Sequence, residues 1–124
     1  MKINYYIFND FEDMWRRIEN SSYVDYRDDM FSWLKIVENG EMFEVTSDIH
    51  HLIINLEKLS DDDRLEDEKL YESDVDNNRL RLPILIKNSK GDMVLLFGGV
   101  HLEKRMQENG SCKVWMVKRE RWKE

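Results

Sequence analysis

Cys112 is the only cysteine in the chain, which excludes an internal disulfide and any cysteine-rich zinc site. A reducing compartment fits that usage, and a cytoplasmic location is expected. No apolar run approaches the roughly 18 residues a membrane helix needs. The basic–apolar–small leader of a secreted precursor is missing from the first residues, so no secretory signal is expected. An excess of basic charge is missing too. The formal net charge is −7, which disfavours non-specific binding to nucleic acid or anionic membranes, because counterion release needs clustered Lys and Arg. Proline is almost absent: Pro83 stands alone, at a place that suits the first residue of a strand.

What remains is a chain with 41% apolar residues, enough for a core, and a length that fits one domain over 1–124. Charge is spread unevenly. Residues 61–76, DDDRLEDEKLYESDVD, hold nine acids against two bases, whereas 113–124 hold five bases against Glu120 and Glu124. The simplest reading is two solvated segments that attract each other weakly.

The pattern of apolar positions predicts a mixed chain. INYYIF (3–8) has strand composition. A helix follows, with Asn9 and Glu12 at capping-box spacing and Phe11, Met14, Trp15 and Ile18 on one face. Residues 21–26 connect to a second helix that carries Met30, Trp33, Leu34 and Val37 on one face and stops at Gly40. EMFEVT (41–46) predicts a strand. Residues 50–60 predict a strand entering a turn, and 62–73 a short helix with Leu65 and Leu70 inward. PILIK and DMVLLF predict a hairpin across a turn at 88–91. A helix from near His101 to Gly110 and a last strand over 111–117 complete the order. The expected fold class is α+β: a small mixed sheet with helices over 47–124, plus an aromatic-rich N-terminal α/β extension over 1–46. Ile84, Leu85, Val94, Leu96, Met106, Val114 and Met116 are the expected core, joined by Trp15, Ile18, Trp33 and Leu34.

The stretch LLFGGVHLEKRMQENG (95–110) carries the most chemistry. Its order of strand, Gly-Gly loop, helix, glycine and last strand resembles the ParB/sulfiredoxin superfamily over roughly residues 50–118. Phe97-Gly98-Gly99-Val100-His101-Leu102 agrees at four of six positions with the sulfiredoxin signature, which ends in Cys, His and Arg. The resemblance implies a loop that holds nucleotide phosphates on glycine amides and on the first turn of a helix, where unpaired N–H groups and the positive dipole end favour an anion. This chain departs from it at two positions. Val100 stands in place of the reactive cysteine and Leu102 in place of the phosphate-binding arginine. Sulfinic-acid reduction by that route is therefore not expected, and the nucleotide-binding loop reads as degenerate.

Gly98, Gly99 and His101 are the candidate site, as a weak phosphate or anion contact; no catalytic residue and no cofactor are expected. His101 at a helix start should be kept neutral by the dipole. No metal site is expected. His50 and His51 would point to opposite faces of a strand, and DVDNN lacks the glycine and glutamate a calcium loop needs, with Arg79 and Leu85 in those places. The leading expectation is a small binding or regulatory protein with a protein partner, of a kind that suits a phage or mobile-element accessory. A second reading is an ATP- and magnesium-dependent phosphoryl-transfer enzyme or nuclease using His101, with acids from 61–76 holding the ion. A third is an acidic mimic of DNA.

Overall fold

A computed structural model of the chain describes residues 2–19, 21, 24 and 27–119. Most of the connection expected over 21–26, and the basic end of the chain beyond Arg119, lie outside the described residues. The chain is a mixed α+β protein. In order it runs β1 (Asn4–Tyr6), α1 (Phe11–Ile18), α2 (Met30–Glu38), β2 (Glu41–Thr46), a single turn α3 (Ser47–His50), β3 (Ile54–Asn55), α4 (Asp61–Asp76), β4 (Arg79–Arg81), β5 (Ile84–Lys87), β6 (Met93–Phe97), α5 (Gly99–Asn109) and β7 (Ser111–Lys118). Among the described residues no helix is long and apolar enough to cross a membrane.

Among the described residues the strands form two sheets. β1 and β4 pair in parallel, and the main sheet has the order β2-β7-β5-β6-β3. Within it β5 and β6 are the expected antiparallel hairpin, while β5–β7 and β3–β6 are parallel. α5 is the crossover that makes the parallel β5–β7 pairing possible. Apolar clusters lie on both faces of this sheet. One holds Met14, Ile18, Trp33, Val37, Ile84, Ile86, Leu96, Phe97 and Val117. The other holds Val45, Leu85, Leu95, Leu102, Cys112, Val114 and Met116. A sheet covered on both sides needs continuous apolar runs rather than alternation, which is why LPILI and VLLF are buried throughout.

Local signals placed several elements one or two residues from expectation. α1 is capped by Asp10, whose carboxylate accepts from the Glu12 amide, rather than by Asn9. α2 begins at a reciprocal box in which Asp29 accepts from the Ser32 amide and the Ser32 hydroxyl oxygen accepts from the Asp29 amide. The strand expected over 50–60 is cut to two residues by the turn of helix before it.

The acidic helix is the larger correction. Leu65 is 52% exposed, and the residues facing inward on α4 are Asp67, Tyr71 and Asp74. Their spacing of four and three is the ordinary helical stripe, but two of the three are charged. Leu70 is half-buried, so the inner face includes one of the two expected leucines but is mainly polar, and the segment is not simply a solvated one.

Trp33 has no exposed surface; its indole nitrogen donates to Asp28 at 3.1 Å and the Arg119 guanidinium lies 4.8 Å from its ring. It joins α2 to the sheet and to the end of β7. Trp33→Ala should cost roughly 3–5 kcal/mol, as other aromatic truncations in packed cores do, measured by chemical denaturation. A loss under about 1 kcal/mol would mean that α2 contributes little to the cooperative core.

Candidate functional site

The Gly-Gly loop closes the end of β6 and opens α5. Gly98 has φ 94°, the left-handed region open to glycine, and a Cβ there would meet the Pro83 Cα at 2.9 Å. Gly99 is needed for space. A Cβ on it would lie 2.7 Å from a carboxylate oxygen of Glu57. That carboxylate is the central feature of the loop. Glu57 Oε2 accepts from the Gly98 amide and Oε1 from the Gly99 amide, both at 2.9 Å. The amides that the sequence marks as an anion contact are taken by an anion of the same chain, delivered from the segment after β3. Burial pushes the Glu57 carboxyl above its usual range, against the pull of the two amides. Sequence reading missed Glu57 because nothing local distinguishes it; the signal is the pairing of β3 with β6, which carries residue 57 to the loop.

The three candidate residues are adjacent in the chain but do not converge. His101 faces α4. Its ring is wholly buried, with Nε2 3.3 Å from Asp74 Oδ2 and the Tyr71 ring edge-on at 5.2 Å between centroids. Asp74 Oδ2 also accepts from the Tyr6 hydroxyl at 2.5 Å. Burial, reinforced by the nearby Arg81 charge, holds the imidazole down to about 4, against the opposing pull of Asp74. The ring is neutral near pH 7, for a reason other than the helix dipole. Tyr6 is pushed up to about 12, chiefly by burial and by its bond to Asp74.

Two arginines come to the neighbourhood that Leu102 leaves without one. Arg17 arrives from α1 and Arg81 from β4, and their guanidinium carbons lie 5.9 and 4.8 Å from the centre of the Phe97 ring, next to the loop. Arg17 Nη1 donates to both oxygens of Asp67 at 2.8 Å, and Arg81 Nη1 lies 3.8 Å from Asp67 Oδ1. Asp67 is thus shared by two cations with its side chain 2% exposed. Leu102 itself is 4% exposed and belongs to the apolar cluster on the α5 side of the sheet. An arginine at that position would have to leave the core to reach an anion. The sequence signals for Arg17 and Arg81 are weak: each sits among acids or apolar residues at an unremarked position.

The remaining chemical candidates resolve simply. Cys112 is buried and its thiol is pushed up to about 12 by burial, so it is a poor nucleophile. His50 closes α3, and His51 follows it. Among the described residues no group of three or more His, Cys, Asp or Glu is arranged to hold a metal ion. Comparison with protein-family models, with curated proteins and with solved structures finds no match to this chain.

The Arg17–Asp67 pair should behave as a buried ion pair does, in which losing one partner strands the other. Arg17→Ala should destabilise by about 3–5 kcal/mol, whereas Arg17→Met combined with Asp67→Leu should recover only part of the loss, because buried Arg81 then loses its carboxylate neighbour. A loss in the double variant equal to the sum of the Arg17→Met and Asp67→Leu losses, in a double-mutant cycle from urea melts, would show the pair to be uncoupled.

His101 sets a pH dependence. Its unfolded imidazole takes a proton near 6.5 and the folded one only near 4. Between those values the unfolded chain binds more protons, so stability falls as pH drops through this window, by up to roughly 3 kcal/mol. Glu57 acts in the opposite sense, since its raised value favours the fold at low pH and costs stability above its ordinary 4.5. The comparison with His101→Gln isolates the histidine: the variant's stability should change less between pH 6.5 and 4. Parallel curves for the two proteins would assign the slope to other groups.

Proposed function

We propose that this chain is a ParB/sulfiredoxin-like binding or regulatory protein, working on a protein partner in the cytoplasm, whose glycine loop no longer serves a nucleotide. The observation that carries the reading is the Glu57 carboxylate on the Gly98 and Gly99 amides. A nucleotide phosphate would have to displace a carboxylate already held by two 2.9 Å bonds, and it would do so without the arginine that Leu102 replaces. A charge-assisted hydrogen bond contributes about 1.5–3 kcal/mol, so that loss alone weakens a phosphate site by roughly ten- to a hundredfold.

The protein-partner part of the reading is supported by β2. It is an outer strand of the main sheet, and Met42 and Phe43 on it are 47% and 40% exposed. An open strand edge with apolar side chains is a common means of adding a partner's strand. An accessory role in a phage or mobile element is part of the same reading.

The enzyme reading needs His101 to reach a substrate and the acids of α4 to hold a cation. His101 is instead sealed against Asp74 and Tyr71, and Asp67 and Asp74 are engaged by Arg17, Tyr6 and His101. The DNA-mimic reading needs a continuous acidic face, and those same two carboxylates are withdrawn from it.

Calorimetry with ATP, ADP and CTP in the presence of magnesium tests the proposal. The parent protein should bind each with a dissociation constant well above about 10 μM, near −7 kcal/mol. Glu57→Ala should bind more tightly, because two amides lose their internal partner. Dissociation constants at or below that value in the parent, abolished by His101→Ala, would promote the enzyme reading.

A further inference from the structure

Exposed apolar side chains gather at the two open edges of the main sheet. At one edge are Met42 and Phe43 of β2. At the other, Leu52, Ile54 and Leu56 stand 57%, 45% and 36% exposed. Ile54 belongs to β3, Leu52 and Leu56 flank it, and among the described residues β3 has a neighbour, β6, on one side only. Open edges are ordinarily guarded by charge, by proline or by a bulge. From Ile49 to Leu56 there is no Asp, Glu, Lys, Arg or Pro, in a chain of which 36% is charged.

The main chain fixes what this edge offers. The Leu56 amide donates to the Leu95 carbonyl at 3.4 Å, and Ile54 stands beside Val94 in the parallel β3–β6 register. Alternation along a strand therefore turns the main-chain groups of Asn55 away from β6, toward the open edge. It also puts the Ile54 side chain on the face of Val94 and Leu96, which α1 covers where it packs over β6. That cover stops short of β3, and Ile54 is left open to solvent.

A second copy of this chain fits the edge better than an unlike strand. The apolar positions are symmetric about Ile54, with Leu52 two residues before it and Leu56 two after. An isologous contact needs a patch complementary to itself. Antiparallel pairing with the two-fold at Ile54 sets Ile54 against its own copy and brings the Leu52 end of one chain to the Leu56 end of the other. The charges agree. Exposed Asp48 precedes the segment and exposed Lys58 follows it, so the antiparallel arrangement brings opposite signs together at both ends. Elsewhere two chains of net charge −7 repel each other, and the β2 edge carries Glu41 and Glu44. With strands about 4.8 Å apart, the two α1 helices would lie about 14 Å from each other, three strand spacings, which leaves room for the Ile54 and leucine side chains between them. We propose that the chain forms a two-fold dimer through β3, joining two five-stranded sheets into one continuous sheet. Three part-exposed side chains do not supply the roughly 800 Å² per partner of a tight complex, so the dissociation constant is on the order of 10–100 μM. Both β2 edges stay free, and the dimer is independent of the partner reading given to them.

Sedimentation velocity of the full chain, from about 5 μM to about 1 mM, tests the dimer. The mass should rise from one chain to two and stop there. Ile54→Lys and Ile54→Glu alter a side chain that solvent already reaches, and an unchanged circular dichroism spectrum will verify that each variant remains folded. Each alone should weaken association by about tenfold or more, because like charges then meet directly across the two-fold. An equal mixture of the two should dimerise again, since the introduced lysine faces the introduced glutamate when position 54 meets position 54. Phe43→Lys, at the opposite edge, should leave the dimer unchanged. A mass of one chain throughout, growth beyond two chains, or a dimer that Phe43→Lys removes and the Ile54 variants do not, would overturn the assignment. So would a mixture that stays as monomeric as its two components.

Discussion

Two carboxylates on the inner face of α4 hold the molecule's separate parts in register. Asp67 takes Arg17 from α1 and lies beside Arg81 of β4; Asp74 takes the Tyr6 hydroxyl from β1 and the His101 ring from α5. Four other elements, β1, α1, β4 and α5, therefore meet on two side chains of α4. The apolar clusters supply most of the driving force by burial, but apolar contacts are non-directional. The carboxylates fix which atoms must face which. The arrangement is also demanding, since a buried charge is tolerable only while its partners stay in place.

The same logic explains which features could be read from the chain before its fold. Strand runs, turn residues and helix stops are short-range signals, so the β5–β6 hairpin, β2, α5 up to Gly110 and the last strand were legible. Residues of the N-terminal stretch, such as Met14 and Trp33, also announced a buried face by their helical spacing. Legibility ended wherever the inner face was polar. Asp67 and Asp74 look like any other acid in a run of nine, and only the arrival of Arg17 and Tyr6, from more than forty residues away, makes them interior groups. Glu57 was hidden for the same reason. The loop it fills could be recognised from two glycines, but the residue that fills it comes with a parallel strand pairing.

A glycine loop at a helix start keeps its shape for backbone reasons: the left-handed φ at Gly98 and the tight space at Gly99. Those requirements do not depend on what the amides hold. An internal carboxylate satisfies them as well as an external anion does, and it removes the penalty of leaving two amide donors unmet. The loop's geometry and its ligand chemistry are thus separable properties, and a short motif can report the first while saying little about the second.

The position of β7 has a consequence for how the chain is made. The last strand in sequence is not an outer strand; it lies between β2 and β5, hydrogen-bonded on both sides. During synthesis β2 emerges about seventy residues before the partner it pairs with through Thr46 and Ser111, and β5 waits with one edge open. Until β7 enters, the nascent chain carries an unpaired β2 and a three-stranded part, β5-β6-β3, with apolar faces, the kind of species that associates with its neighbours. Joining β2 to the rest of the main sheet therefore waits for β7, the strand that pairs with both β2 and β5.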